Sequence, residues 1–154
     1  MKKVLLLIIA ITTFNLSAIT PINGWSFFKF GMSQSNVEAI LYACGQKCNM
    51  LLFEEKNNEK LLINKHDYYL YDYKCTPMFK FIDDRLTAIT FIDLDPSNYE
   101  AILTFISSYV NEKPWKYNDD QCTWKDENNN FISLILYKDK TECAVSIVEY
   151  KQDE

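Results

Sequence analysis

The sequence predicts an α+β fold, a two-layer sandwich in which an antiparallel sheet carries two helices on one face. One observation predicts this class, and a second predicts the number of domains. A helix followed by antiparallel strands occurs twice along the chain, which suggests two α-β-β-β units. Three glycines and four prolines among 154 residues leave little material for linkers, so residues 19–154 are expected to form one domain.

Composition and charge exclude several classes of protein. With 48% hydrophobic and 24% charged residues, the chain is not a disordered tail, a collagen-like fibre or a coiled coil. Sixteen basic and 21 acidic residues give a net charge of −5. Because nucleic-acid binding depends on neutralising phosphates with cations, we expect no nucleic-acid partner.

Residues 1–18 have the layout of a secretory signal peptide. Lys2 and Lys3 form a cationic start, Val4–Ile11 is an unbroken apolar run, and the segment closes on the small residue Ala18. The alternative is a membrane anchor, but eight apolar residues fall well short of the roughly 20 that cross a bilayer. We therefore predict cleavage after Ala18, a periplasmic or secreted protein, and no membrane span in the mature chain.

The first half begins with a predicted helix. Ser33 or Ser35 is expected to be its N-cap, and Gly45 is a natural C-cap. Its apolar positions recur at helical spacing: Val37, Ile40, Leu41 and Cys44.

Five strands are predicted to follow this helix. They are Met50–Phe53, Leu61–Asn64, Tyr68–Tyr73, Met78–Ile82 and Leu86–Asp93. A polar turn, Glu55–Lys60, separates the first two, and the last two form a hairpin around Asp83-Asp84-Arg85.

The second half opens on a strong helix start, because Asp95 can cap a helix whose first position is Pro96. The helix should run to about Val110, with Pro114 beyond its end. One face of it is marked by Ile102, Phe105, Ile106 and Tyr109. The strands expected after it are Gln121–Lys125, Phe131–Lys138 and Thr141–Tyr150, with a tight turn at Asp139-Lys140 between the last two.

Five cysteines in the mature part are typical of an oxidising compartment. They allow at most two bridges within one chain, and the sequence leaves fifteen such patterns open. We predict Cys48–Cys75 and Cys122–Cys143, each closing a loop that stabilises the fold by roughly 3 kcal/mol. Cys44 lies on the apolar stripe of the first helix and is expected to be the buried odd cysteine.

One segment resembles a group of small exported bacterial domains. Trp25–Val37 is similar to their opening of an aromatic residue followed by G-M-S-x-x-x-V, and Thr123-Trp124-Lys125 followed by Ile132–Leu136 is similar to their second half. The group includes the SmpA/BamE-like envelope proteins and the β-lactamase-inhibitor-like fold. The resemblance implies helix-then-sheet units that bind other proteins rather than catalyse. The chain departs from the SmpA/BamE type in having no lipid-acceptor cysteine near the predicted cleavage site.

The sequence offers little catalytic chemistry. His66 is the one histidine, so it cannot form a multi-histidine zinc site, and no phosphate-binding, dinucleotide or hydrolase motif occurs. We predict no metal, no cofactor and no catalytic residues, and hence a protein that is not an enzyme. A small hydrolase that uses His66 as a general base is the least favoured alternative.

Aromatic residues are the best candidates for binding. Strand alternation would place Tyr69, Tyr71 and Tyr73 on one face, and Trp115 is a second candidate after the second helix. Tyrosine is enriched in protein interfaces. The alternative is that these tyrosines cover the core while their hydroxyls reach water.

The sequence therefore predicts an exported protein-binding module with a partner in the envelope or outside the cell. An inhibitor or immunity-type protein that occludes its partner fits the size, the acidic charge and the lack of catalytic motifs. The main alternative is an envelope assembly or maintenance factor.

Overall fold

The computed structural model describes residues 20–45, 50–54, 58–65, 68–118, 120–137, 139 and 141–150. The predicted signal peptide, residues 1–18, lies outside them. The described helices are α1 Gln34–Ala43 and α2 Tyr99–Val110, the second preceded by a 3₁₀ turn at Pro96–Asn98. The described strands are β1 Gly24–Trp25, β2 Phe28–Lys29, β3 Met50–Glu54, β4 Glu59–Asn64, β5 Tyr68–Leu70, β6 Tyr73–Ile82, β7 Arg85–Leu94, β8 Lys116–Asn118, β9 Gln121–Lys125, β10 Phe131–Leu136 and β11 Cys143–Val148.

One long antiparallel sheet dominates the molecule. Its strand order is β3-β4-β6-β7-β11-β10-β9-β8, and β5 pairs with β6 beside this path. The last strand, β11, lies between β7 and β10 and so joins the two halves of the chain at the centre of the sheet. A separate two-stranded sheet is formed by β1 and β2.

The predicted α+β class is wrong, because the fold is mostly β. About half of the described residues lie in strands and about a fifth in helices. The reading as two α-β-β-β units fails for the same reason. Two segments without a predicted strand belong to the sheet. Strand β6 begins at Tyr73 instead of Met78, and β8 covers Lys116–Asn118.

The core lies between the sheet and the two helices. One buried row crosses six adjacent strands from Leu62 through Phe79 and Ile89 to Trp124. The buried residues of α1 and α2 belong to the same cluster as this row, so the helices cover this face of the sheet. Burial of these side chains is the main stabilising contribution to the fold.

The hairpin of β6 and β7 is longer than predicted. Its turn is the pair Asp83 and Asp84, both in the left-handed region with φ of 51° and 59°, while Arg85 already belongs to β7. Two positive φ values are typical of the tight turns that join twisted antiparallel strands.

The predicted single strand Tyr68–Tyr73 is also wrong. The chain turns at Tyr71 and Asp72, so that β5 folds back on β6 with Leu70 opposite Tyr73. The two C-terminal strands are shorter than expected, with bounds Phe131–Leu136 and Cys143–Val148. Lys138 and Lys140 lie outside the described residues.

The helix caps agree with the residue types that the sequence offers. Ser33 rather than Ser35 caps α1, and its hydroxyl accepts a hydrogen bond from the Asn36 amide at 3.3 Å. Asp95 caps the 3₁₀ turn by accepting from the Ser97 amide at 2.8 Å. Neither described helix has the length and apolar character needed to cross a membrane.

The first described residues are fastened by the turn between β9 and β10. The buried carboxylate of Asp126 accepts hydrogen bonds from the Ile22 amide at 2.8 Å and from the Asn130 amide at 2.9 Å. The Asn130 side chain donates in turn to the Ile22 carbonyl at 2.8 Å, and the Thr20 amide donates to the Val110 carbonyl at 3.2 Å. This network holds the start of the domain beside the end of α2.

Candidate protein-binding surface

Four aromatic side chains from three elements meet on the helix-bearing side of the sheet. They are Trp25, Tyr71, Phe105 and Tyr109, hereafter the aromatic surface. The ring of Tyr71 stacks on that of Phe105 with centroids 5.0 Å apart and an interplanar angle of 21°. The Trp25 ring lies edge-on to Phe105 at 5.9 Å and 4.6 Å from the Tyr109 centroid. The contacts therefore form one continuous chain of rings.

The small β1–β2 hairpin positions Trp25. Gly24 has a φ of 125°, and a Cβ at this position would overlap the Phe28 carbonyl, so only glycine allows the close pairing. Trp25 itself is buried and packs against Phe91 of the sheet with centroids 6.1 Å apart. The turn residue Phe27 is 69% exposed. The hairpin thus fixes the inner ring of the aromatic surface on the core and leaves a further aromatic side chain in solvent.

Tyr71 is held in an unfavourable backbone conformation. Its φ is 59°, in the left-handed region, which costs a residue with a Cβ about 1 kcal/mol or more. Its side chain is nevertheless 65% exposed, so burial of the ring offsets little of this cost. Stacking on Phe105 is worth about 1 kcal/mol and fixes the direction of the ring. Strain of this kind is concentrated at functional sites.

The other two predicted tyrosines lie elsewhere on the same hairpin. Tyr69 is 56% exposed and pairs with Lys74, whereas Tyr73 is half-buried against the core. Because the chain turns at Tyr71, strand alternation does not relate the three side chains. Among the described ring contacts, only Tyr71 of the three joins the aromatic surface.

Trp115 occupies a separate position beyond the end of α2. Its side chain is 72% exposed, and the Lys125 ammonium lies 5.7 Å from its ring centroid. Its amide donates to the Thr123 carbonyl at 2.7 Å. None of the described ring contacts connects Trp115 to the aromatic surface, so the structure does not bring the two predicted binding regions together through their rings.

Sequence reasoning missed Phe105, Tyr109 and the buried inner ring of Trp25 as members of the aromatic surface. The apolar face that the sequence marks on α2 includes Phe105 and Tyr109, of which Phe105 is half-buried and Tyr109 is 40% exposed. The buried stripe consists of Tyr99, Ile102, Ile106 and Val110. The sequence did contain a signal for this pair: Phe105 and Tyr109 are four residues apart and therefore lie side by side on the helix, next to the buried stripe.

The cysteines are not arranged as predicted. Cys75, Cys122 and Cys143 are buried free thiols, and Cys44 is exposed at the end of α1 instead of buried. Cys122 lies on β9 and Cys143 on β11, with β10 between them. Two strand spacings amount to about 10 Å, whereas a disulfide needs Cα atoms within about 7 Å. The predicted Cys122–Cys143 bridge is therefore not formed in this structure.

Cys48 lies outside the described residues, so its predicted pairing with Cys75 stays a prediction.

Burial makes the described inner thiols poor nucleophiles. It raises the pKa of Cys75 to about 12 and that of Cys143 to about 11, with smaller contributions from the charges of Asp93 and Asp95. Burial also raises the pKa of Cys122, partly offset by the Tyr99 hydroxyl 3.3 Å from its sulfur. Since the thiolate is the reactive form, these three groups are protonated and unreactive at neutral pH.

A charged pocket lies between the β5–β6 hairpin and the connection from β7 to α2. It has a volume of about 480 Å³, and charged residues of both signs contribute to its wall, including Lys65, Asp72, Asp93 and Asp95. Cys75 also lines it, but its thiol is protonated. Within the described part of the chain, no three His, Cys, Asp or Glu side chains are grouped so that they could hold a metal ion. His66 lies outside the described residues.

No protein-family model matches the chain, and comparisons with curated proteins and with solved structures give no significant match. The resemblance to the SmpA/BamE-like and β-lactamase-inhibitor-like group stays a prediction.

Proposed function

We propose that the chain is an exported protein-binding module that acts by covering a site on its partner, as an inhibitor or immunity-type protein does. The aromatic surface would make the contact. The observation that carries the proposal is the strained, solvent-exposed ring of Tyr71 stacked on Phe105. A folding requirement alone would favour glycine or asparagine at this turn position.

The physical properties of the aromatic surface suit protein recognition. Aromatic side chains dominate the binding energy of many interfaces, because each buries a large area at a small cost in side-chain entropy. Stacking of Tyr71 on Phe105 and the edge contact of Phe105 with Trp25 fix these rings before a partner arrives. Preorganisation lowers the entropic cost of binding.

Export is part of the same proposal. The contacts that fasten the start of the domain begin at Thr20 and Ile22, so cleavage after Ala18 would leave all of them in the mature protein. The chain is acidic, with a net charge of −5 that becomes −7 when the two lysines of residues 1–18 are removed. An acidic surface favours association with a basic partner.

Capture of a partner by the exported protein tests the proposal. The wild type, the double variant Tyr69→Ala/Tyr71→Ala and the control Tyr137→Ala would be immobilised at equal amounts and exposed to extract of the cell envelope. Tyr137 is a suitable control because it is a 45% exposed tyrosine at the β10–β11 connection.

We expect the wild type and Tyr137→Ala to retain the same partner, and the double variant to lose it while keeping its thermal transition. Capture that survives in the folded double variant would refute the role of this surface. Loss of capture in Trp115→Ala, with capture retained in the double variant, would indicate that the binding site lies near the end of α2.

A further inference from the structure

The side of the sheet that the helices do not cover, hereafter the open face, is apolar at one end. A straight row of paired residues begins with Leu51, Ile63 and Met78 on β3, β4 and β6. Phe53 and Leu61 stand beside them in the next row. Leu51 is 36% and Phe53 47% exposed, and the other three side chains are half-buried. A sheet face that meets only water normally carries polar side chains at such positions.

The row continues across the sheet with hydroxyl groups that bond to each other. Thr90 and Ser146 lie opposite each other on β7 and β11 with their oxygens 3.1 Å apart. Ser133 and Thr123 form the next such pair on β10 and β9 at 3.2 Å. Because these hydroxyls already have partners within the sheet, a covering surface would not leave them buried without a hydrogen bond. This half of the row can therefore also be covered.

Charge is nearly absent from the open face. In the two rows that run from Leu51 to Thr123 and from Phe53 to Lys125, the ionisable residues are Lys80 and Lys125. Lys80 pairs with Glu59 at 2.7 Å, and Lys125 lies over the Trp115 ring. Neither row contains an acidic residue, and the Glu59 carboxylate that reaches Lys80 from the same face is neutralised by this pair. Two copies of this acidic chain can therefore approach each other here without bringing their negative charges into contact.

The described part of the chain leaves this end of the open face uncovered, since Leu51 and Phe53 remain exposed. The described N-terminal residues run beside the end of α2, where the Thr20 amide bonds to the Val110 carbonyl, on the helix-bearing side. The two connections 46–49 and 55–57 have four and three residues, and four residues reach at most about 14 Å. Neither of these connections can span the sheet.

We propose that the open face packs against the open face of a second copy, giving a symmetric dimer in which two sheets stack. Seven strands at about 4.8 Å and five residues at about 3.4 Å give a face of about 34 by 17 Å in projection. This projection is about 580 Å², compared with the roughly 800 Å² that each partner buries in a standard interface. This dimer is independent of the aromatic surface, which lies on the other side of the sheet.

Sedimentation of the exported protein between about 1 and 100 µM tests the dimer. We expect a mass twice that of one chain at the upper concentrations. Met78→Lys should weaken association at least about 100-fold, because each copy would bury an unpaired ammonium group in the interface. Tyr71→Asn, on the opposite side, should associate as the wild type does.

Oxidation of methionine by peroxide provides a second measurement if Met78→Lys does not fold. Met78 of the wild type should react more slowly as the protein concentration rises, because the second copy covers it. Met32 is the control, since it packs against the core on the helix-bearing side and its rate should not depend on concentration. A monomer at 100 µM, a dimer that tolerates Met78→Lys, or a Met78 rate independent of concentration would each overturn the proposal.

Discussion

The two turns at the ends of β6 are built in different ways. In the β6–β7 turn, Asp83 and Asp84 adopt left-handed conformations that short polar residues tolerate. Their carboxylates accept hydrogen bonds from the Asn58 side chain at 3.1 Å and the Gln34 amide at 3.2 Å. In the β5–β6 turn, Tyr71 adopts the same conformation with a bulky side chain. The β6–β7 turn consists of residue types that favour its conformation. The β5–β6 turn instead holds a tyrosine ring in a position that folding alone does not require.

This difference separates stability from binding. Changes at Asp83 or Asp84 should leave partner binding unaltered, whereas changes at Tyr71 should reduce binding with little effect on stability. The predictions below test that separation, beginning with the largest expected effect.

The base of the β5–β6 hairpin should make the fold sensitive to alkali. Tyr68 and Cys75 face each other there, and burial raises the pKa of each from 10.0 and 9.0, respectively, to about 12. Below about pH 9 both groups keep their protons in the folded and in the unfolded state. Between about pH 9 and 12 the unfolded chain loses protons that the folded chain retains, so the free energy of unfolding falls by several kcal/mol.

Urea unfolding at pH 8, 10 and 11 measures this loss. Cys75→Ala should flatten the dependence on pH, because one of the groups whose pKa burial raises is gone, while Asp84→Gly should leave the slope unchanged. Equal slopes in the wild type and Cys75→Ala would show that the thiol does not contribute.

Removal of the ring beneath Tyr71 should have the next largest effect. Phe105→Ala deletes the stacking partner of Tyr71 and the edge contact with Trp25, and we expect a loss of about 2 kcal/mol, less than for a fully buried phenylalanine. Chemical unfolding measures the loss. Partner capture should also fall, because the Tyr71 ring is no longer held in place. Full capture by a folded Phe105→Ala would mean that preorganisation is unimportant.

Tyr71→Asn should change stability little and binding much. Asparagine tolerates the left-handed conformation, so relief of strain offsets the lost stacking, and the free energy of unfolding should stay within about 1 kcal/mol of the wild type. Titration of the captured partner should show affinity reduced at least about tenfold. A loss of several kcal/mol in stability would instead assign Tyr71 a structural role.

Asp84→Gly should have the smallest effect. Glycine adopts the turn conformation without strain and loses one exposed hydrogen bond, so we expect a change within about 0.5 kcal/mol and unaltered capture. Thermal unfolding and the same titration measure both quantities. Reduced affinity in this variant would break the separation between the two turns.

The sequence predicted those elements whose signals are local. The turn at Asp83 and Asp84, the cap at Asp95 and the apolar alternation of β6 and β7 are encoded by residue types that favour these conformations. The turn at Tyr71 was missed because tyrosine is not a turn residue and because alternation continues through it. The mostly β character was missed for a related reason, since short strands such as β8 depend on pairing with neighbours distant in sequence.

The candidate site was only partly predictable. Tyr71 was identified from its local aromatic run, but Trp25 and Phe105 reach it only through the tertiary fold. Cys44 shows the opposite failure, because helical spacing placed it on the buried stripe while the helix ends at Ala43 and leaves it exposed. Spacing gives the face of an element, and it does not show where that element stops.

Photo-crosslinking tests the central claim most directly. A photoreactive phenylalanine analogue would replace Tyr71 in one variant and Tyr137 in another, and both would be irradiated in intact cells that export the protein. We predict one discrete crosslinked protein at position 71 and none at position 137. Crosslinks of equal yield at both positions, or none at position 71 while position 137 reacts, would contradict a binding site on the aromatic surface.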